Sequence, residues 1–94
     1  MTAVSETVEI TNQRGLHARA SAKFVTFVSR LPETVSVEVE KGGSRVNGTS
    51  IMGLMMLAAG IGTSIMVSAK GPEAQQAMEA ISALVLDKFG EEQD

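Results

Sequence analysis

The chain has no cysteine, tryptophan or tyrosine, and only two prolines, three phenylalanines and one histidine in 94 residues. Without cysteine it forms no disulfide and does no thiolate chemistry, which fits a reducing compartment. With so few aromatics, a core drawn from the 44% hydrophobic fraction must be built from Val, Ile, Leu, Met and Ala. Basic charge is scarce, eight Lys/Arg against eleven Asp/Glu, for a net charge of −3. Residues 1–45 carry six basic against five acidic side chains and residues 46–94 two against six. Neither half has a basic stripe, so nucleic acid is not an expected partner. The longest nearly uncharged stretch, residues 46–69, is interrupted by Asn47, Gly48, Gly53, Gly60 and Gly62 and changes period midway, so it is not a membrane span. The first residues, Met1-Thr2-Ala3-Val4-Ser5-Glu6, lack the basic and apolar regions of a signal peptide. A soluble, cytoplasmic protein without membrane insertion is expected. There is no phosphate-binding P-loop, no dinucleotide fingerprint, no cluster of metal ligands and no Ser or Cys spaced to work with the histidine. No metal and no cofactor is therefore expected.

What is present is a sequence of short amphipathic elements. Val4, Val8 and Ile10 alternate with Ser5, Thr7 and Glu9, a half-buried strand ending near Asn12. From Ala18 to about Arg30 the period becomes helical, with Ala20, Phe24, Phe27, Val28 and Leu31 on a core-facing stripe ended by Pro32. Val35, Val37 and Val39 form a second strand, Lys41-Gly42-Gly43-Ser44 a hairpin turn, and residues 44–47 the return strand. Ser50 caps a brief helix over residues 51–58, which Gly60 and Gly62 stop, and Leu54, Leu57 and Ala58 supply its core edge. Ile65, Val67 and Ala69 make a fourth strand. Gly71-Pro72-Glu73 opens a last helix carrying Ala74, Ala77, Met78, Ile81, Leu84, Val85 and Lys88 on one face, with Gly90 at its end. The order β-α-β-β-α-β-α, with strands wet on one face, predicts an α+β open-faced sandwich: a four-stranded antiparallel sheet with three helices on one face. One domain spans residues 1–94, with an ordered core over about 4–89 and a solvated acidic tail at 90–94.

The single histidine stands in Arg14-Gly15-Leu16-His17-Ala18-Arg19-Ala20-Ser21. By default such a residue caps a helix or bonds within a turn. Here a glycine allows a sharp approach of the chain, a helix start offers unpaired N–H groups and a partial positive charge, and an arginine follows two residues on. Imidazole is a neutral nucleophile near neutral pH, and a guanidinium can pair two phosphate oxygens. His17 is therefore a candidate phosphate acceptor and Arg19 its charge partner, with Arg14 a lesser candidate. One His and one Arg can hold a phosphoryl group but cannot bind ATP, so the group would come from one protein and go to another. The second feature, Ser50-Ile51-Met52-Gly53-Leu54-Met55, is a short helix with almost no polar side. A small domain has little room to bury it all round, which leaves Ile51, Met52 and Met55 partly exposed as an adaptable docking patch. A phosphate on Ser50 would suit the helix dipole while repelling a partner.

With both motifs in view, the chain resembles HPr, the histidine-containing phosphocarrier family of the bacterial phosphoenolpyruvate-dependent phosphotransferase system, over about residues 5–89. The resemblance rests on Gly15-Leu16-His17-Ala18-Arg19 and Ser50-Ile51-Met52-Gly53-Leu54-Met55, at family-like separation. It implies that enzyme I phosphorylates His17 at Nδ1, that Arg19 stabilises the group and that enzyme IIA domains receive it. It implies that Ser50 is a regulatory serine, the target of HPr kinase/phosphorylase where that enzyme exists. It also implies a docking surface of Ile51, Met52 and Met55 with positions of the first helix, Ala20 and Phe24, on a monomeric protein. Ala20 stands where the family usually has proline, at some loss of rigidity. The alternative is a regulatory adaptor of a nitrogen-related branch, working through phosphorylation-dependent docking. A ligand-sensing module of the ACT type would require a dimer, and His-Ala-Arg at the helix start argues against it.

Overall fold

The computed structural model describes residues 3–91. Four strands and three helices follow one another as β1 (Ala3–Glu9), α1 (Ala18–Ser29), β2 (Ser36–Lys41), β3 (Ser44–Asn47), α2 (Ile51–Met56), β4 (Ser64–Lys70) and α3 (Ala74–Leu86), with a single 3-10 turn, Lys88–Gly90, after α3. The strands form one antiparallel sheet in the order β1-β4-β2-β3. Alternation sets the register: Val8 lies opposite Ile65, Val37 opposite Ala69 and Val39 opposite Val67, so each pair buries its side chains on the same face. Lys41 pairs with Ser44 across Gly42 and Gly43, whose φ of 59° and 88° are those of the expected tight hairpin turn.

The helices cover that face with Phe24, Leu54, Met78 and Ile81, all fully buried. The α+β open-faced sandwich read from the periodicities is the fold observed. The opposite face is polar, crossed by Ser5 to Ser68 (2.9 Å) and by Arg45 clamped between Glu38 and Glu40 (2.7 and 2.9 Å).

Four boundaries differ from expectation, for identifiable reasons. β2 starts at Ser36, because the Val35 N–H turns back to the Pro32 carbonyl at 2.9 Å. β1 ends at Glu9, because Ile10 bonds to the loop before β4 instead of to a strand, its N–H to the Thr63 carbonyl and its carbonyl to the Gly62 N–H. α2 ends at Met56, with Leu57 as its cap; Ala58 then takes a left-handed φ of 54° and is exposed, and Ala59 is buried in its place. α3 ends at Leu86, and Lys88, expected on its buried face, adopts a φ of 59°. Phe89 follows at 56° and is buried, so the chain reverses toward the start of α1.

Candidate functional site

The site is built where the loop before α1 meets the loop after α2. Gly15 has a φ of 65°, and a Cβ there would lie 2.2 Å from the Ala59 carbonyl oxygen. Only glycine permits that approach. The next amide, Leu16 N–H, donates to the same carbonyl at 2.9 Å. Buried Asn12 closes the loop from inside, its side-chain amide donating to the Gly15 carbonyl at 2.8 Å and its own carbonyl accepting from the Gly15 N–H at 3.1 Å. Buried Ser21 holds the other side through its hydroxyl on the Leu16 carbonyl (3.2 Å).

This loop delivers His17 to the N-cap of α1 in extended backbone conformation. Its Nδ1 accepts from the Arg19 N–H at 3.3 Å. The ring is thus a helix cap, as the default reading had it, and its unprotonated nitrogen also points at the electropositive end of α1. Its other nitrogen meets Glu91 at 2.6 Å. The proton of that bond is assigned to Nε2, because an ionised carboxylate only accepts. The ring keeps 22% of its surface exposed and lines a cleft of about 490 Å³ with Gln13, Arg14, Arg19, Lys23, Gly90 and Glu91. Among the described residues Arg19 makes no ion pair, which leaves its guanidinium available to an anion in the cleft.

Glu91 was expected in a solvated tail. Instead its side chain is only 13% exposed, accepting from Asn12 Nδ2 at 3.1 Å as well as from His17. Burial pushes its carboxyl up, but the hydrogen bonds from His17 and Asn12 and the charges of His17 and Lys23 prevail and hold it below the usual carboxylate range. Lys23 anchors the same segment by donating to the Phe89 carbonyl at 2.9 Å. The rest of the tail, residues 92–94, lies outside the described residues. The signal that could have revealed the fold-back is Phe89, a lone aromatic after Asp87 and Lys88 and before Gly90, just past a helix.

Ser50 caps α2, its Oγ accepting from the Gly53 N–H at 2.9 Å. Beyond it Ile51, Met52 and Met55 are exposed, as expected, and Met56 and Ile61 extend the patch. Ala20 and Phe24, expected on the docking surface, are both fully buried beneath α1, so the helical stripe and not the surface assignment describes them. Their side chains point at the sheet because the stripe through 20, 24 and 28 is the face α1 presents to the core. Among the described residues no group of side chains is placed to hold a metal ion, and no helix is long and apolar enough to cross a membrane.

Comparison with known proteins agrees with this arrangement. A family model described as the PTS HPr component phosphorylation site matches residues 4–87. The chain is 48% identical over 88 residues to the phosphocarrier protein HPr of Neisseria meningitidis serogroup A, covering 94% of this chain and 97% of that one. It is 45% identical over 82 residues to that of Cupriavidus necator, covering 87% and 90%. The crystal structure of HPr-C-His from Thermoanaerobacter tengcongensis superposes with a TM-score of 0.85 at 41% identity, covering 99% of this chain and 100% of that chain.

Proposed function

Since the chain belongs to the HPr family, the phosphocarrier proteins of the phosphotransferase system, we propose that His17 Nδ1 is its phosphoryl acceptor, Arg19 the residue that neutralises the bound group, and Ser50 its regulatory switch. Phospho-enzyme I is the donor and enzyme IIA domains are the acceptors, on a soluble cytoplasmic monomer. The observation that carries this reading is the position of Nδ1, an unprotonated ring nitrogen at the start of α1 with the Arg19 N–H aimed at it. The Arg19 N–H releases Nδ1 and turns to the entering phosphoryl oxygens; the freed lone pair attacks phosphorus, the N–P bond forms, and the bond to the donor atom breaks with its electrons leaving on the donor. The entering oxygens meet the α1 dipole and the Arg19 guanidinium, so charge is balanced without a metal. Onward transfer reverses these steps toward the acceptor.

The exposed Ile51, Met52 and Met55, with Met56 and Ile61 beside them, form the surface on which partners bring their reacting groups to the cleft. A phosphate on Ser50 would sit at the start of α2, which tolerates it, at the border of that surface. HPr kinase/phosphorylase is the enzyme that would place it there. The deciding experiment incubates the chain with phosphoenolpyruvate and enzyme I and follows phosphorus NMR. An acid-labile, base-stable adduct is expected, absent in His17→Ala. No adduct under conditions that label the Neisseria protein would overturn the carrier reading. Partner binding that follows Ser50 modification and ignores His17→Ala would favour the regulatory adaptor in its place.

A further inference from the structure

We propose that Met52 and Met56 are a modification site: a peroxide converts their thioethers to sulfoxides, and the added oxygens keep partners off α2. The effect on docking rests on the α2 patch being the partner surface, whereas the site itself stands on the exposure of the two side chains.

The chain has no cysteine, so thioethers are the only sulfur it offers to an oxidant. Of its six methionines, three lie within the six residues of α2. Met52 and Met56 are 69% and 78% exposed and Met55 39%, whereas Met66 on β4 is half-buried and Met78 on α3 is fully buried. Met1 lies outside the described residues. Access therefore ranks the thioethers within one chain, α2 first and Met78 last. Residues 52 and 56 are one helical turn apart and share a side of α2, and the helix buries only Leu54. An oxygen on the two outer sulfurs leaves that packing alone, and Ser50 keeps its cap on the Gly53 N–H.

A sulfur lone pair attacks one peroxide oxygen and forms the S–O bond. The O–O bond breaks, and its electrons leave on the other oxygen as hydroxide. The proton left on the new sulfoxide oxygen passes to that hydroxide and makes water. Sulfur is oxidised by two electrons and the peroxide is reduced by two. A flexible apolar side chain has become a polar acceptor. Residues 46–69 hold no charged side chain, so the stretch that carries α2 offers the new oxygen no cationic donor. In the free protein water satisfies it at little cost. A partner closing over α2 must strip that water from an acceptor, which weakens docking. The step is undone by a methionine sulfoxide reductase, whose dithiol removes the oxygen as water and becomes a disulfide. The adaptable side chains that suit the surface to several partners thus also make it answer to oxidant.

The test treats the whole chain with hydrogen peroxide, maps the added oxygen by peptide mass spectrometry, and then measures the melting temperature and enzyme I binding by titration calorimetry. Met52 and Met56 should gain oxygen well before Met66, with Met78 unchanged while the protein stays folded. The melting temperature should move by no more than a few degrees, while enzyme I binding weakens about tenfold and returns after treatment with methionine sulfoxide reductases. A double variant, Met52→Leu with Met56→Leu, should stay within about twofold of its own starting affinity through the same treatment. Binding unchanged with both sulfoxides in place, an equal loss in the double variant, or oxidation of Met78 as early as Met52 would each overturn the proposal. Undiminished enzyme I binding by unoxidised Met52→Asp would instead defeat the docking reading from which this one starts.

Discussion

At the residue scale the decisive contacts are few and short. Arg19 has no ion-pair partner among the described residues, so truncating it should leave the fold intact while removing the counter-charge proposed for an incoming phosphoryl group. Arg19→Ala is expected to melt within a few degrees of wild type and to be phosphorylated about a hundredfold more slowly, measured by stopped enzyme I assays. Glu91 carries the pH dependence. Its carboxyl is held below the ordinary value of 4.5 in the folded chain, so its contribution to stability is complete above that value and fades as pH falls through the lower folded value. Thermal melts should show wild type losing an advantage over Glu91→Gln as the solution is acidified past 4.5. An advantage undiminished at strongly acid pH would contradict this account.

Each element owes its place to a local device that is testable by itself. Gly15 is left-handed and pressed against the Ala59 carbonyl, so Gly15→Ala should lower stability by about 2 kcal/mol or more in chemical denaturation and slow His17 labelling by displacing the loop. Ser50→Asp keeps a good helix cap, so the melting temperature should hold while calorimetry shows weaker partner binding. Phe24→Ala would leave a cavity under α1 and cost about 3–5 kcal/mol, the penalty of a core residue and not of a docking one. These devices also explain what was legible in the sequence. Period-two and helical alternation located all four strands and three helices, because each buries one face only, and Gly42-Gly43 announced its turn. The places of His17 and Ser50 at helix starts were legible because a helix start leaves N–H groups that a side-chain acceptor can satisfy. What escaped was tertiary. Lys88 and Phe89 carry no local preference for left-handed backbone, so burial of one aromatic ring decides their path. Asn12 looked like the end of a strand, and its bonds to Gly15 and to Glu91, 79 residues away, follow from the closed fold alone.

Over the whole molecule, the polar sheet face and the chemical end serve different purposes. The wet face is self-satisfied by Ser5, Ser68 and the Arg45 clamp, whereas the apolar exposure gathers around α2, with Met52 and Met56 at 69% and 78%. Placing charge on that surface should disturb recognition and leave the core alone. Met52→Asp is expected to unfold within about 0.5 kcal/mol of wild type while binding to enzyme I weakens at least tenfold by titration calorimetry. The Leu16 N–H to Ala59 carbonyl bond has a further bearing on how such proteins diverge. It stitches the histidine loop to the segment trailing α2, so neither can change length alone. Chimeras that exchange residues 12–17 between relatives without residues 57–60 should fold with a gaping seam and carry phosphate poorly. Swapping both stretches together should restore it, which makes the pair, and not either motif, the unit in which these carriers recombine.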